Sequence, residues 1–140
     1  MKLIEFINAM VEIAKEQPAV RTVVHNDIYK LNALPDVEYG VFAYLQGTHR
    51  QTEDSFISFN FTLFYVDRLT EDRGNEVEVQ STGLDVLRNI IRKMEDLYTG
   101  SEKQPVSYVT FTERFSDECA GAYATVSFQV ATADVCPEDY

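Results

Sequence analysis

The sequence predicts an α+β domain in which an antiparallel β-sheet carries two helices on one face and extends into a long β-hairpin arm. Two segments repeat apolar residues at the helical period, and four others alternate or concentrate β-forming residues. The order along the chain is helix, weak strand, hairpin, helix, hairpin. A chain of 140 residues is about one domain's worth. We therefore expect a single domain over residues 1–131, followed by a polar C-terminal tail over 132–140.

The N-terminal segment predicts an amphipathic helix that ends near Gln17-Pro18. Its apolar residues at helical spacing are Leu3, Phe6, Ile7, Met10, Ile13 and Ala14. From Val20 to Leu34 the pattern is short and mixed, with Val23-Val24 and Ile28-Tyr29 as candidate strand pieces.

Two strands are expected next, from Tyr39 to about His49 and from Phe56 to about Asp67. The second alternates, with Ile57, Phe59, Phe61, Leu63 and Tyr65 on one face and Ser58, Asn60 and Thr62 on the other. The connection Gly47–Asp54 is polar and longer than a tight hairpin needs, so we expect its tip to project into solvent or toward a partner.

A second helix is predicted from Thr82-Gly83-Leu84-Asp85, which resembles a capping box, to Tyr98-Thr99-Gly100. Its apolar residues are Leu84, Leu87, Ile90, Ile91, Met94 and Leu97.

The last two strands are expected over Val106–Phe115 and Ala122–Val130. The apolar residues are odd-numbered in the first strand (Val109, Phe111, Phe115) and even-numbered in the second (Ala124, Val126, Phe128, Val130). We therefore expect a turn or bulge within Ser116–Gly121 to change the parity, with Gly121 as its pivot.

The charge of the chain excludes several classes of function. Twelve Lys and Arg against 23 Asp and Glu give a net charge of −11. Such a surface opposes the binding of nucleic-acid phosphates and of anionic lipid. No apolar stretch is long enough to span a bilayer, and the N-terminus lacks the apolar core of a signal peptide, which favours an intracellular product.

The sequence gives no positive support for an enzyme, a cofactor or a metal site. His25 and Asp27 lie two residues apart on one side of a candidate strand, and His49 lies in the hairpin connection, which is too little for a metal site. Cys119 and Cys136 match no metal or redox motif and are expected to be free thiols. With six glycines and none of the glycine-rich nucleotide motifs, a phosphate cradle is not expected. We predict no catalytic, cofactor-binding or metal-binding residues.

Mixed charge clusters near strand ends are the candidate interface residues. Arginine and carboxylates in such clusters can form bidentate pairs between subunits, or they can be solvated surface pairs. The candidates are Arg50, Glu53 and Asp54 at the hairpin tip, Arg68, Asp72 and Arg73 before the second helix, and Glu113, Arg114, Asp117 and Glu118 near the C-terminus.

Two runs carry a resemblance to a known family. They are Leu69 to Glu76 with Gln80-Ser81, and Thr112 to Gly121. These runs resemble segments of small tail proteins of tailed bacteriophages and prophages, including the crAss-like group. With the element order, the chain is similar to the tail-terminator and tail-completion family.

The resemblance implies a virion structural protein of the phage tail or neck, assembled in the host cytoplasm. It would form a homo-oligomeric ring of about six or twelve copies and contact other tail, portal or connector proteins. Genomic DNA would pass through the ring without specific binding, which the acidic charge would assist. No catalytic residue, cofactor or membrane contact comes with the family.

Two other functions remain open. The aromatic residues of the strands, Phe42, Tyr44, Phe59, Phe61 and Tyr65, would suit a small-ligand binding module or an enzyme with a pocket between sheet and helices. Aromatic residues that alternate on strands are more often core residues. A bacterial adaptor that dimerises through a sheet edge is the third function considered.

Overall fold

The protein is an α+β domain, as predicted. The computed structural model describes residues 2–25, 38–53, 56–99, 104–112 and 119–131. The elements are α1 (Leu3–Lys15), β1 (Thr22–His25), β2 (Val41–Gln46), β3 (Arg50–Glu53), β4 (Phe56–Arg68), α2 (Glu76–Tyr98), β5 (Ser107–Thr112) and β6 (Cys119–Ala131). The strands form one sheet in the order β1-β2-β4-β6-β5, with β3 also paired to β4. Both helices pack on one face of this sheet.

The sheet is mixed, because β1 pairs with β2 in parallel while the other pairs are antiparallel. The 15 residues 26–40 separate β1 from β2, which meets the dozen or so that a parallel return needs. The strand piece at Val23-Val24 is confirmed. The candidate piece at Ile28-Tyr29 lies outside the described residues.

Helix α1 matches its prediction closely, and it buries Phe6, Met10 and Ala14 against the sheet and α2. The apolar residues predicted from the helical period are those on its inner face, because spacing of three and four residues places side chains on one side of a helix.

The central hairpin is confirmed, but its predicted polar connection is largely structured. After Gln46 the chain leaves the ladder for three residues and returns to pair Arg50 with Ser58. Phe56, the first residue of β4, pairs with Ala131 of β6, so the described part of the hairpin belongs to the sheet. The polar composition of the connection did not reveal the strand β3, since an edge strand can be polar along its exposed side chains. The turn residues 54–55 lie outside the described residues.

Helix α2 ends where predicted but begins two turns earlier, at Glu76. Val79 and Gly83 extend its buried stripe toward the N-terminus. Thr82, expected near the helix start, is an interior residue. The N-cap residue is Asn75, whose side chain accepts the backbone N–H of Thr70 rather than capping the helix.

The predicted change of parity at Gly121, between the two strands of the C-terminal hairpin, is wrong. The ladder between β4 and β6 runs in one register from Phe56↔Ala131 to Arg68↔Cys119. The even-numbered residues of β6 face the helices as expected, but Phe111 of β5 points to the opposite face, where a second buried cluster forms. That cluster contains Val24, Val41, Ala43, Phe64, Val66, Phe111 and Cys119.

Gly121 is required by close packing rather than by a bend. A Cβ atom built at Gly121 would overlap the carbonyl oxygen of Tyr65 and lie 3.1 Å from the Phe111 ring. The glycine therefore lets two backbones approach within a regular ladder. Within the ranges given above, neither helix has the length and apolar character needed to cross a membrane.

Candidate functional site

The predicted interface residues that the structure describes fall into two groups at opposite ends of β4. Arg68 ends the strand and pairs with Cys119, while Arg50 pairs with Ser58 near its start. The ten residue-to-residue steps from Ser58 to Arg68 span about 33 Å of extended chain. Arg50 and Glu53 therefore lie at the other end of β4 from Arg68 and the loop that follows it.

Half of the predicted interface residues lie outside the described residues. They are Asp54, Glu113, Arg114, Asp117 and Glu118. The strand ends that flank 113–118, Thr112 and Cys119, lie at the same end of the sheet as Arg68. Only these flanking residues are placed near Arg68, and the role of the predicted clusters at an interface stays a prediction.

Asp72 orders the loop between β4 and α2. Its carboxylate accepts the Thr70 hydroxyl at 2.7 Å and the Gly74 backbone N–H at 3.0 Å. These hydrogen bonds, that from Thr70 first, lower the pKa of Asp72 because they favour the charged form. Arg73 takes a left-handed backbone with φ 58° in this loop. The loop is therefore held by its own side chains.

Arg68 stacks on an aromatic ring within the chain. Its guanidinium carbon lies 4.9 Å from the centre of the Tyr39 ring, which suits a cation–π contact. Burial, and then a hydrogen bond with Cys119, raise the pKa of Tyr39. Cys119 is fully buried and forms no disulfide with another described residue. Cys136 lies outside the described residues.

His49 has a structural role in the central hairpin. Its Nδ1 accepts the backbone N–H of Asn60 at 3.1 Å, and its Nε2 lies 3.1 Å from the Gln46 side-chain oxygen. Nδ1 must be unprotonated to accept, so the ring is neutral with its hydrogen on Nε2. Burial lowers the pKa of His49. Its ring also packs against those of Phe59 and Phe61.

His25 hydrogen-bonds the Tyr44 hydroxyl at 2.8 Å rather than a carboxylate. Asp27, its suggested partner, lies outside the described residues. Among the residues that are described, no group of three or more histidine, cysteine or acidic side chains could hold a metal ion.

A polar pocket of about 290 Å³ lies at the Arg68 end of the sheet. Its lining residues are Pro18, Ala19, Arg21, Tyr39, Gly40, Tyr65, Asp67 and Thr82. The Tyr65 hydroxyl lies 3.3 Å from both the Ala19 carbonyl oxygen and the Asp67 carboxylate, to which it can donate. Burial, and then Asp67, raise the pKa of Tyr65, so it is a neutral donor.

This pocket was not predicted, because its lining comes from separate segments that no motif connects. Its volume is just below the range of about 300–1,000 Å³ typical of small-molecule sites. None of the described residues that line it is a histidine, cysteine or serine. The pocket can hydrogen-bond a small polar molecule.

The strand aromatics considered for a ligand site lie in the hydrophobic core. Phe42, Tyr44, Phe59, Phe61 and Tyr65 are all at most 4% exposed, and they belong to the cluster beneath the helices. They are therefore packing residues, although the Tyr65 hydroxyl also reaches the pocket.

In the described part of the chain, three strands pair on one side only: β1 with β2, β3 with β4, and β5 with β6. β1 and β5 are the two ends of the strand order. On β5, Val109 is 42% exposed. The pairing registers place His25 of β1 and Tyr108 of β5 in one cross-sheet row, through Tyr44, Leu63 and Ala124.

No protein-family model matches this sequence, and a comparison with curated proteins also found no match.

Proposed function

We propose that this protein is a non-catalytic structural subunit that assembles into a ring in the tail or neck of a tailed bacteriophage. The observation that carries the proposal is that the described sheet ends in two different strands, β1 on one side and β5 on the other. Two different edges on one subunit allow head-to-tail contacts, which close into a ring when the rotation between copies permits. The resemblance of the two charged runs to small phage tail proteins supplies the biological setting.

The charge supports a channel rather than a DNA clamp. Each subunit contributes a net charge of −11, so a closed ring concentrates negative charge around its axis. Phosphate groups are repelled by such a surface. Duplex DNA would pass through the ring without being held, and the neighbouring virion proteins would dock on the ring faces.

The test is the oligomeric state of the purified full chain. Light scattering after size exclusion should give a single mass of about six or twelve subunits, and negative-stain micrographs should show rings with a central opening. A monomer at the highest soluble concentration would refute the proposal. Duplex DNA should not bind the ring at low salt, whereas retention of DNA there would refute the channel role.

The pocket beside Tyr65 favours a second candidate, a module that binds a small polar molecule. Arg21 and Asp67 line it with opposite charges, which suits a ligand that carries both a carboxylate and an ammonium group. A thermal-shift screen of such compounds tests this function. A rise in melting temperature that Arg21→Ala abolishes would support it, and no shift with any compound would refute it.

A further inference from the structure

We infer that neighbouring copies join by antiparallel pairing of β5 of one subunit with β1 of the next, so that the sheet continues around the assembly. This inference rests on the ring proposed above and names the residues of its junction.

The sequence of β5 favours strand pairing between proteins. Natural edge strands carry charges, prolines or bulges, yet Ser107–Thr112 has no charged residue and no proline. Val109 leaves 42% of its surface exposed. Gln80 of α2 donates to the carbonyl of Phe111 and to the Thr112 hydroxyl, which fixes the strand against the helix. A rigid, uncharged edge of this kind is suited to accept another strand.

The strand directions make such a junction antiparallel. Three antiparallel steps lead from β5 through β6 and β4 to β2, and one parallel step leads from β2 to β1. β1 therefore runs opposite to β5. In a head-to-tail assembly, β1 of the next subunit then meets β5 in the antiparallel sense, which gives the better hydrogen-bond geometry.

The two edges also lie at the same level of the sheet. One cross-sheet row contains His25 and Tyr108, and the row through Val41, Val66 and Gly121 contains Thr22 and Phe111. A junction without a shift along the strands therefore pairs His25 with Tyr108 and, one residue on, Val24 with Val109.

The side-chain faces agree with this register. Val24 belongs to the second cluster, on the face away from the helices. Val109 shares that face, because it is two residues from Phe111 of the same cluster. His25 and Tyr108 both point to the helix face, where Tyr44 and Ala124 of their row lie in the main cluster. The exposed surface of Val109 would thus lie beside Val24, an apolar residue that is 7% exposed in the single subunit.

The helix layer offers opposite charges across the same junction. α2 packs on β5 and α1 packs on β1, so α2 of one subunit would lie beside α1 of the next. Arg88 and Arg92 of α2 are exposed and lie near Tyr108 of β5, as does Glu95. The exposed acidic residues of α1 are Glu5 and Glu12, and Glu16 follows at its C-cap. Glu12 also lies 3.9 Å from Lys15. Such complementarity favours one orientation of the subunits.

A disulfide test addresses the register directly. In a Cys136→Ser background, the double variant Val24→Cys with Val109→Cys should form a ladder of covalent oligomers under mild oxidation, since paired residues have Cα atoms about 5 Å apart. The matched control, Val24→Cys with Thr110→Cys, places its thiols on opposite faces and should stay unlinked. Val109→Cys alone should also stay unlinked.

A charge substitution distinguishes a failure of the β5–β1 junction from a failure of the proposed ring. Val109→Lys should convert rings to folded monomers, judged by light scattering and by circular dichroism, while Leu97→Lys, at a site 63% exposed on α2, should leave rings intact. Rings that survive Val109→Lys and give no cross-link would overturn the junction but keep the ring. A monomeric wild type would overturn both. A dimer cross-linked by Val109→Cys alone would show β5 pairing with itself and overturn the head-to-tail arrangement.

Discussion

Replacing Phe6 with alanine tests how α1 is held on the sheet. Phe6 is fully buried. Its ring centre lies 5.1 Å from those of Phe59 and Phe128, 5.5 Å from that of Tyr98, and 5.9 Å from that of Phe61. These aromatic partners come from β4, β6 and α2, so this one side chain connects α1 to both layers of the domain.

The expected loss of stability in Phe6→Ala follows from that packing. A buried Phe→Ala change lowers the free energy of unfolding by about 3–5 kcal/mol. Each aromatic pair contributes roughly 0.5–1.5 kcal/mol beyond the buried area, so four such contacts place Phe6→Ala near the upper end, at about 4–5 kcal/mol. Domains have total stabilities of roughly 5–15 kcal/mol. If the alanine variant does not fold, Phe6→Leu keeps most of the volume and should lose about 1 kcal/mol.

The assay is urea denaturation followed by far-ultraviolet circular dichroism, with an unchanged m-value as evidence that the unfolded state is unaffected. Ile4→Ala is the control on the same helix, because Ile4 is 59% exposed and should change stability by no more than about 0.5 kcal/mol. A loss below about 1 kcal/mol for Phe6→Ala, or equal losses for the two alanine variants, would contradict the packing described here.

Three further predictions concern local features. Because burial lowers the pKa of His49 in the folded protein, the unfolded state binds more protons below its own pKa of about 6.5. The free energy of unfolding should therefore fall as the pH drops below that value. His49→Gln should make the free energy of unfolding less dependent on pH in denaturation curves between about pH 7 and 5. The same pH dependence in the variant would contradict the hydrogen bond from Asn60. Gly121→Ala should destabilise the domain by more than about 2 kcal/mol in the same assay, since the added Cβ meets the backbone of Tyr65; a neutral effect would contradict this close approach. Asn75→Ala removes loop hydrogen bonds worth about 1 kcal/mol, and this loss should lower the melting temperature by a few degrees. A rise in the melting temperature would show that the loop is not held by this side chain.

The sequence predicted the site less well than the fold. The charged clusters were recognised from composition, but sequence spacing did not reveal that Asp72 orders its own loop or that Arg68 stacks on Tyr39. The pocket beside Tyr65 had no signal at all, because Ala19, Arg21 and Asp67 meet only after the sheet forms. Composition identifies which chemical groups are present, whereas a site depends on distances between groups that are remote along the chain.

The sequence by itself determined the class of fold, because local periodicity records which side of a helix or strand is buried. The inner face of α1 and the even-numbered residues of β6 followed directly from that rule. Only the tertiary structure decided that β1 runs parallel to β2 and that Phe111 joins a second cluster. A period of two says that a strand has an apolar face but not which side of the sheet that face meets. The same long-range pairing places β1 and β5 at one level, the property on which the proposed assembly depends.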